Sequence, residues 1–361
     1  MRTHLTRRLI AASSAAVVTL SGAATYAATT AAAAPGPGGA GVSLLTTLDA
    51  SDQRAALDFW TAERLAEATP VDRVVTGRGA GAPGAAAAIG VPPAPSPGAG
   101  AQPRSTTSGT GDAPGLPRAR RATSGVVTGG AVSTARAWTG DAVPTVGRLY
   151  FTQGAGKYEC TASSVDSPRG DVIVTAGHCV TENGLDSQNL VFVPGLTGTS
   201  EPQGRFAVGR TFTTPQWRTG DQQSSAALSF DVGFAVVAPR DGKSLKDVVG
   251  ANAIAFDAPL ARTTVLGYPG RSRTADGFTL QYCTGAQFTD NGPGATSDVA
   301  VLCDLGGGSS GGPWLHDVDP ATGTGTVTSV VSFSYDDNTS VLYGPRFGGV
   351  VRDVYAQAAG A

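Results

Sequence analysis

From Val143 onward, apolar residues come in short runs broken by Gly, Pro, Asn and Asp. The runs VGRLYF, VIVTA, LVFVPG, FDVGFAVV, TTVLGY, VAVLC, TVTSVVSF and VLYGP are each of strand length. They are rich in β-branched side chains, which pack well on a pleated surface. Hardly any helical period separates them, so the pattern predicts an all-β barrel or sandwich rather than β-α-β units. Only the last stretch, VVRDVYAQA, predicts a short C-terminal helix.

The chain before Val143 has a different texture. LDASDQRAALDFWTAERLAEATP predicts one helix over about residues 51–69, with Ser51 or Asp52 as its cap. Leu57, Trp60 and Leu65 fall near one face of it, and Pro70 ends it. One helix alone buries little apolar surface, so it either docks on something or is marginal. About residues 77–117 are dominated by Gly, Ala and Pro, a composition that cannot offset its ordering entropy and reads as linker. Arg118, Arg120 and Arg121 follow as a basic cluster, either a solvated charge run or a processing site.

At the start, Arg2, Arg7 and Arg8 precede an apolar stretch from Leu9 to Leu20 and small residues from Ala27 to Ala34. That is the layout of a secretory signal, which predicts a signal over residues 1–28, a pro-region over 29–121 and a folded domain over 122–361. No other stretch is long and apolar enough to span a bilayer, so the mature form is expected outside the cell with no membrane span. The net charge of −2 leaves no basic footprint for nucleic acid or anionic lipid. Export also makes the four cysteines legible as two disulfides. Three pairings are possible; the favoured one is Cys160–Cys179 with Cys283–Cys303, each closing a loop worth roughly 3 kcal/mol. Zinc is the rival for Cys179 beside His178, but the spacing fits no zinc pattern.

The stretch CDLGGGSSGGPWLHD, Cys303 to Asp317, sets two serines among glycines that a core strand would not tolerate. A serine hydroxyl becomes a nucleophile when a His, itself oriented by a carboxylate, takes its proton. Of three histidines, His4 belongs to the signal and His316 is expected on the strand leaving the loop. His178 remains, at the end of the buried-looking run VIVTAGHC. Asp231, just before an apolar strand, is the carboxylate candidate, because a half-buried acid needs a partner. The N–H groups of Gly308 and Ser310 would converge on an oxyanion, a geometry that glycine permits. Gly308-Ser309-Ser310-Gly311-Gly312 also matches G-x-S-x-G, but the α/β-hydrolase order of Ser, then Asp, then His is not met here.

With the order His178, Asp231, Ser310, the chain resembles the chymotrypsin-like serine peptidases from about Val143 to its C-terminus. TAGHC with ECTASSV upstream, DVGFA and GSSGGP carry the resemblance, which looks nearest to secreted bacterial members of the trypsin and glutamyl endopeptidase type. It implies two packed, antiparallel, six-stranded β-barrels, at roughly 140–240 and 241–361. His178 would be the general base, Asp231 its orienting acid and Ser310, just before Gly-Gly-Pro, the nucleophile. It also implies a monomeric endopeptidase, made as an exported precursor, acting on protein or peptide substrates without metal or cofactor. Ser309 stands where trypsin-like members carry an Asp that pairs with the new N-terminus, so activation is expected to use another route. TVTSVVSFSY lacks the His of Glu-preferring members, which argues against Glu preference. Asp304, six residues before Ser310, matches the acid of basic pockets, and Ser332 and Ser334 would complete that pocket. A peptidase-fold module that binds partners without catalysis is the alternative.

Overall fold

The computed structural model describes residues 43–76, 134–140, 142–271, 275–291 and 294–361. The expected signal, the Pro/Gly linker and the arginine cluster lie outside these residues.

The first half closes on itself. Strands Val146–Gln153, Gly156–Val165, Val172–Thr175, Gly233–Val237, Phe206–Thr213 and Gln188–Pro194 pair in that order, each antiparallel to the next, and the last returns to the first. Closure leaves no sheet edge in the ring to satisfy with water. Side chains alternate along each strand, so one set points into the barrel: Leu149, Phe151, Ile173, Phe192, Val208 and Ala235. The other set, including Tyr150, Val172, Val174, Val191, Val193 and Phe234, joins a second core outside the barrel wall. Both faces are covered, which is why runs such as VIVT and LVFV are apolar without alternation.

The second half forms two sheets. One holds Arg136–Ala137, Gln281–Ala286, Arg262–Gly267, Pro313–His316, Thr326–Val330 and Ala253–Ile254; the other holds Phe288–Thr289, Val299–Leu302, Asn338–Gly344, Phe333–Tyr335 and Val74–Val75. Val265, Cys283 and Trp314 of the first enclose a common core with Val299, Val301 and Leu342 of the second. Cys283–Cys303 joins the two sheets through this core, and Cys160–Cys179 joins a barrel strand to the turn after Val172–Thr175. The C-terminal helix, Gly349–Gly360, is longer than a single apolar repeat required and buries Val351, Val354 and Ala358 in the outer core.

The helix expected over about 51–69 is two helices, Ala50–Phe59 and Ala62–Ala66. Asp49, not Ser51 or Asp52, caps the first, accepting from the Ser51 and Asp52 N–H groups. The break comes at Trp60, whose ring is 1 % exposed and whose indole N–H donates to the Asn189 carbonyl at 2.6 Å. Burying that ring and its polar edge together demands a backbone that helical geometry does not supply, and Thr61 then caps a new helix. The segment is docked rather than marginal: Leu44–Thr47 pairs antiparallel with Phe206–Thr213 of the barrel.

Candidate active site

Strand Val172–Thr175 ends at Ala176, and the chain turns through a short 3-10 helix, Gly177–Cys179. A Cβ on Gly177 would lie 2.7 Å from the Trp217 ring and 2.9 Å from Asp231 Oδ1, so glycine is what lets the turn approach the acid. His178 then meets Asp231 twice: its backbone N–H donates to Oδ1 at 2.8 Å, and Nδ1 lies 2.7 Å from Oδ2. Cys179, held by its disulfide, fixes the far side of the turn.

Asp231 is fully buried and accepts a third hydrogen bond, from the Ser332 hydroxyl at 2.6 Å. Burial by itself would raise its carboxyl, but His178, Arg73 and Ser332 together hold it below the usual carboxylate range. With Nδ1 engaged, His178 presents Nε2, a buried nitrogen with no hydrogen-bond partner among the described residues.

The glycine-rich loop is pinned from both halves of the fold. Gly308 has φ +91°, a left-handed backbone, and a Cβ there would sit 2.8 Å from the Tyr268 carbonyl and 3.0 Å from Arg148. Gly311, at φ +80°, would place a Cβ 2.1 Å from Thr175 Oγ1. Thr161, on a barrel strand, does most of the holding. Its N–H donates to the Ser310 carbonyl at 2.8 Å, its hydroxyl donates to the Gly308 carbonyl at 2.9 Å, and that same hydroxyl accepts from the Tyr268 N–H at 3.0 Å. Behind it, the fully buried Arg148 pairs with Glu159 at 2.8 Å, whose carboxyl burial has pushed up to about 7 despite that cation. Cys179 Sγ lies 4.0 Å from the Ser310 carbonyl, so the histidine turn and the serine loop are neighbours.

The structure thus places the His178 turn, Asp231 and the loop of Gly308 and Ser310 next to one another. Ser332 is there too, with its hydroxyl on Asp231 rather than lining a pocket. Ser334 is 8 % exposed, and its N–H donates to the Arg73 carbonyl. Asp304 is elsewhere: it is exposed at the surface, and its carboxylate accepts from the Ala135 N–H. His316 bonds Gln287, far along the strand that leaves the loop. Ser309 is buried with its hydroxyl unpartnered, and its Cβ packs over Gly267. Sequence reasoning passed over Thr161, although it lies inside the ECTASSV motif, and Arg148, an isolated charge within an otherwise apolar strand run.

Asp298 is a further buried acid near this site. It is fully buried, and the adjacent Ser297 N–H donates to the hydroxyl of Ser229, two residues before Asp231. Burial raises its carboxyl well above the ordinary value, Asp231 and Asp290 raise it further, and the hydroxyls of Thr296 and Ser229 offset this only in part. In the unfolded chain an Asp titrates near about 3.9, so above that pH the folded state holds a proton that the unfolded state has released. Stability should therefore fall as pH rises through that window. Asp298→Asn, which keeps shape and removes the titration, should flatten the decline. Urea midpoints between about pH 5 and about pH 7 check this; an unchanged slope in the variant would exclude Asp298 as its source.

Scanned against models of known protein families, the chain matches none. It is similar to the protease Anisep of Arthrobacter nicotinovorans, at 30% identity and TM-score 0.58, over 63% of this chain and 100% of that one. It is also similar to the thermostable serine protease AL20 from an extremophilic microorganism, at 29% identity and TM-score 0.55, over 61% of this chain and 98% of that one. Among curated proteins, a glutamyl endopeptidase of Bacillus licheniformis is 30% identical over 146 residues. That match spans 39% of this chain and 41% of the length of that protein.

Proposed function

Because the chain belongs to the chymotrypsin-like serine peptidases, we propose that it is a serine endopeptidase that cleaves peptide bonds through an acyl-enzyme. The observation that carries this reading is the His178–Asp231 pair, which leaves one buried imidazole nitrogen free beside the Ser310 loop. In the reaction, Ser310 Oγ attacks the substrate carbonyl as His178 Nε2 takes the hydroxyl proton. Asp231 holds the ring and balances the imidazolium. The negative oxygen forms where the Gly308 and Ser310 N–H groups converge, and such donors contribute several kcal/mol when preorganised. His178 then passes its proton to the leaving amine, and water repeats the sequence to free the acid.

The family placement and the two disulfides support export of the chain as a precursor, and no helix among the described residues is long and apolar enough to cross a membrane. A pocket selective for Arg or Lys loses its support, since Asp304 is occupied at the surface by Ala135. Cleavage of a mixed peptide library tests the proposal. Internal cuts should appear and should stop once a fluorophosphonate has reacted; a folded chain freed of the residues before Arg136 that cuts nothing and takes up no label would leave the non-catalytic binding module instead.

A further inference from the structure

The residues before the linker lie against the serine loop itself. Thr69–Pro70 pairs parallel with Gly156–Val165, and Val74–Val75 pairs parallel with Phe333–Tyr335, so residues 69–75 bridge the two halves across the site. Between these anchors, the Val71 N–H donates to the Glu159 carbonyl at 3.0 Å. The Val71 carbonyl accepts from the Gly308 N–H at 2.6 Å and from the Ser310 hydroxyl at 3.4 Å. Asp72 lies over Gly307, where an added Cβ would meet its own Cβ at 2.5 Å.

From these contacts we propose that residues Thr69–Val75 are an intramolecular inhibitor whose Val71 carbonyl fills the oxyanion site. The proposal rests on the reading of Ser310 as nucleophile. A neutral carbonyl occupies the donor that the reaction needs for a charged oxygen. The serine proton points at that carbonyl, and His178 Nε2 is left bonding nothing, so nucleophile and base are uncoupled.

Arg73 is the latch. It is 8 % exposed, and its guanidinium reaches the Glu182 carboxylate and the Gln222 carbonyl while lying 4.9 Å over the Trp217 ring. Its carbonyl accepts from the Ser334 N–H at 3.0 Å, and the Val75 carbonyl from the Asp336 N–H at 2.9 Å. Val75 completes the hold by packing with Trp217, Phe333 and Tyr335. A buried charge paired at several points is costly to remove from one side only, so a change at Arg73 acts on the whole strap.

The test uses the full chain, Arg73→Glu, and the charge swap Arg73→Glu with Glu182→Arg. Two readouts are taken: hydrogen exchange at the Val71, Gly308, Ser334 and Asp336 amides, and the rate at which a fluorophosphonate labels the protein. The wild-type chain should show all four amides protected and slow labelling. Arg73→Glu should lose that protection while barrel amides such as Phe192 keep theirs, and should label faster by about tenfold or more; the swap re-forms the ion pair alone, not the bond to the Gln222 carbonyl, and should restore closure in part. If Arg73→Glu does not fold, Arg73→Gln serves with the same readouts. Rapid exchange of the four amides in the wild type overturns the proposal, as does equal labelling of closed and opened chains. Spontaneous cleavage between Val71 and Asp72 also overturns it, because the strap would then be a substrate. Exchange that opens as expected with no label in any chain leaves the occlusion standing and removes the assignment of Ser310.

Discussion

Ser310→Ala should abolish fluorophosphonate labelling and lower kcat/KM by about 10⁵-fold or more, whereas Ser309→Ala should retain both. The two serines are adjacent, but their surroundings are opposite. Ser310 meets the strap, with its hydroxyl on the Val71 carbonyl and its own carbonyl held by Thr161. Ser309 is turned into the interior against Gly267, and its hydroxyl has no partner. Deleting a buried hydroxyl that bonds nothing should leave stability nearly unchanged or slightly higher. The comparison is made by labelling, peptide cleavage and urea midpoint on chains in the same processing state. Labelling lost only in Ser309→Ala would reverse the assignment.

Asp231→Asn should cost about 10⁴-fold in kcat at neutral pH, because an amide does not hold the imidazole in the tautomer that leaves Nε2 able to accept a proton. Three donors converge on this carboxylate: the His178 N–H, His178 Nδ1 and the Ser332 hydroxyl. An amide offers one oxygen and two further N–H groups, so at least one buried donor is left unpaired. The same variant should therefore also lose about 1–3 kcal/mol of stability. Paired measurements of kcat and of the urea midpoint check both parts. Full activity in the variant would remove Asp231 from the mechanism.

Much of the architecture was readable from the residues alone because its causes are local. Runs of β-branched residues bounded by Gly and Asp mark strands whichever sheet receives them, and VIVT and FDVGFAVV became neighbours in one barrel. The order His178, Asp231, Ser310 was legible because few residue types can do that chemistry and the chain has only three histidines. Other features have no local cause. Asp304 follows Cys303, and nothing nearby in the chain dictates that its carboxylate turns outward to Ala135. The break at Trp60 is set by Asn189, a residue distant in the chain, overriding a good helical pattern. The strap was least visible of all. TPVDRVV pairs through two-residue parallel bridges and backbone carbonyls, and the partners of its Arg73 side chain, Glu182 and Gln222, lie far along the chain.

Thr161 carries a consequence for how the molecule comes to life. It belongs to the first barrel, yet three of its hydrogen bonds run to Gly308, Tyr268 and Ser310 in the second half. Neither half can shape the reactive loop by itself, so competence arises only when the two have met and locked. The shape of the serine loop is therefore set at the last step of assembly, when the two halves meet.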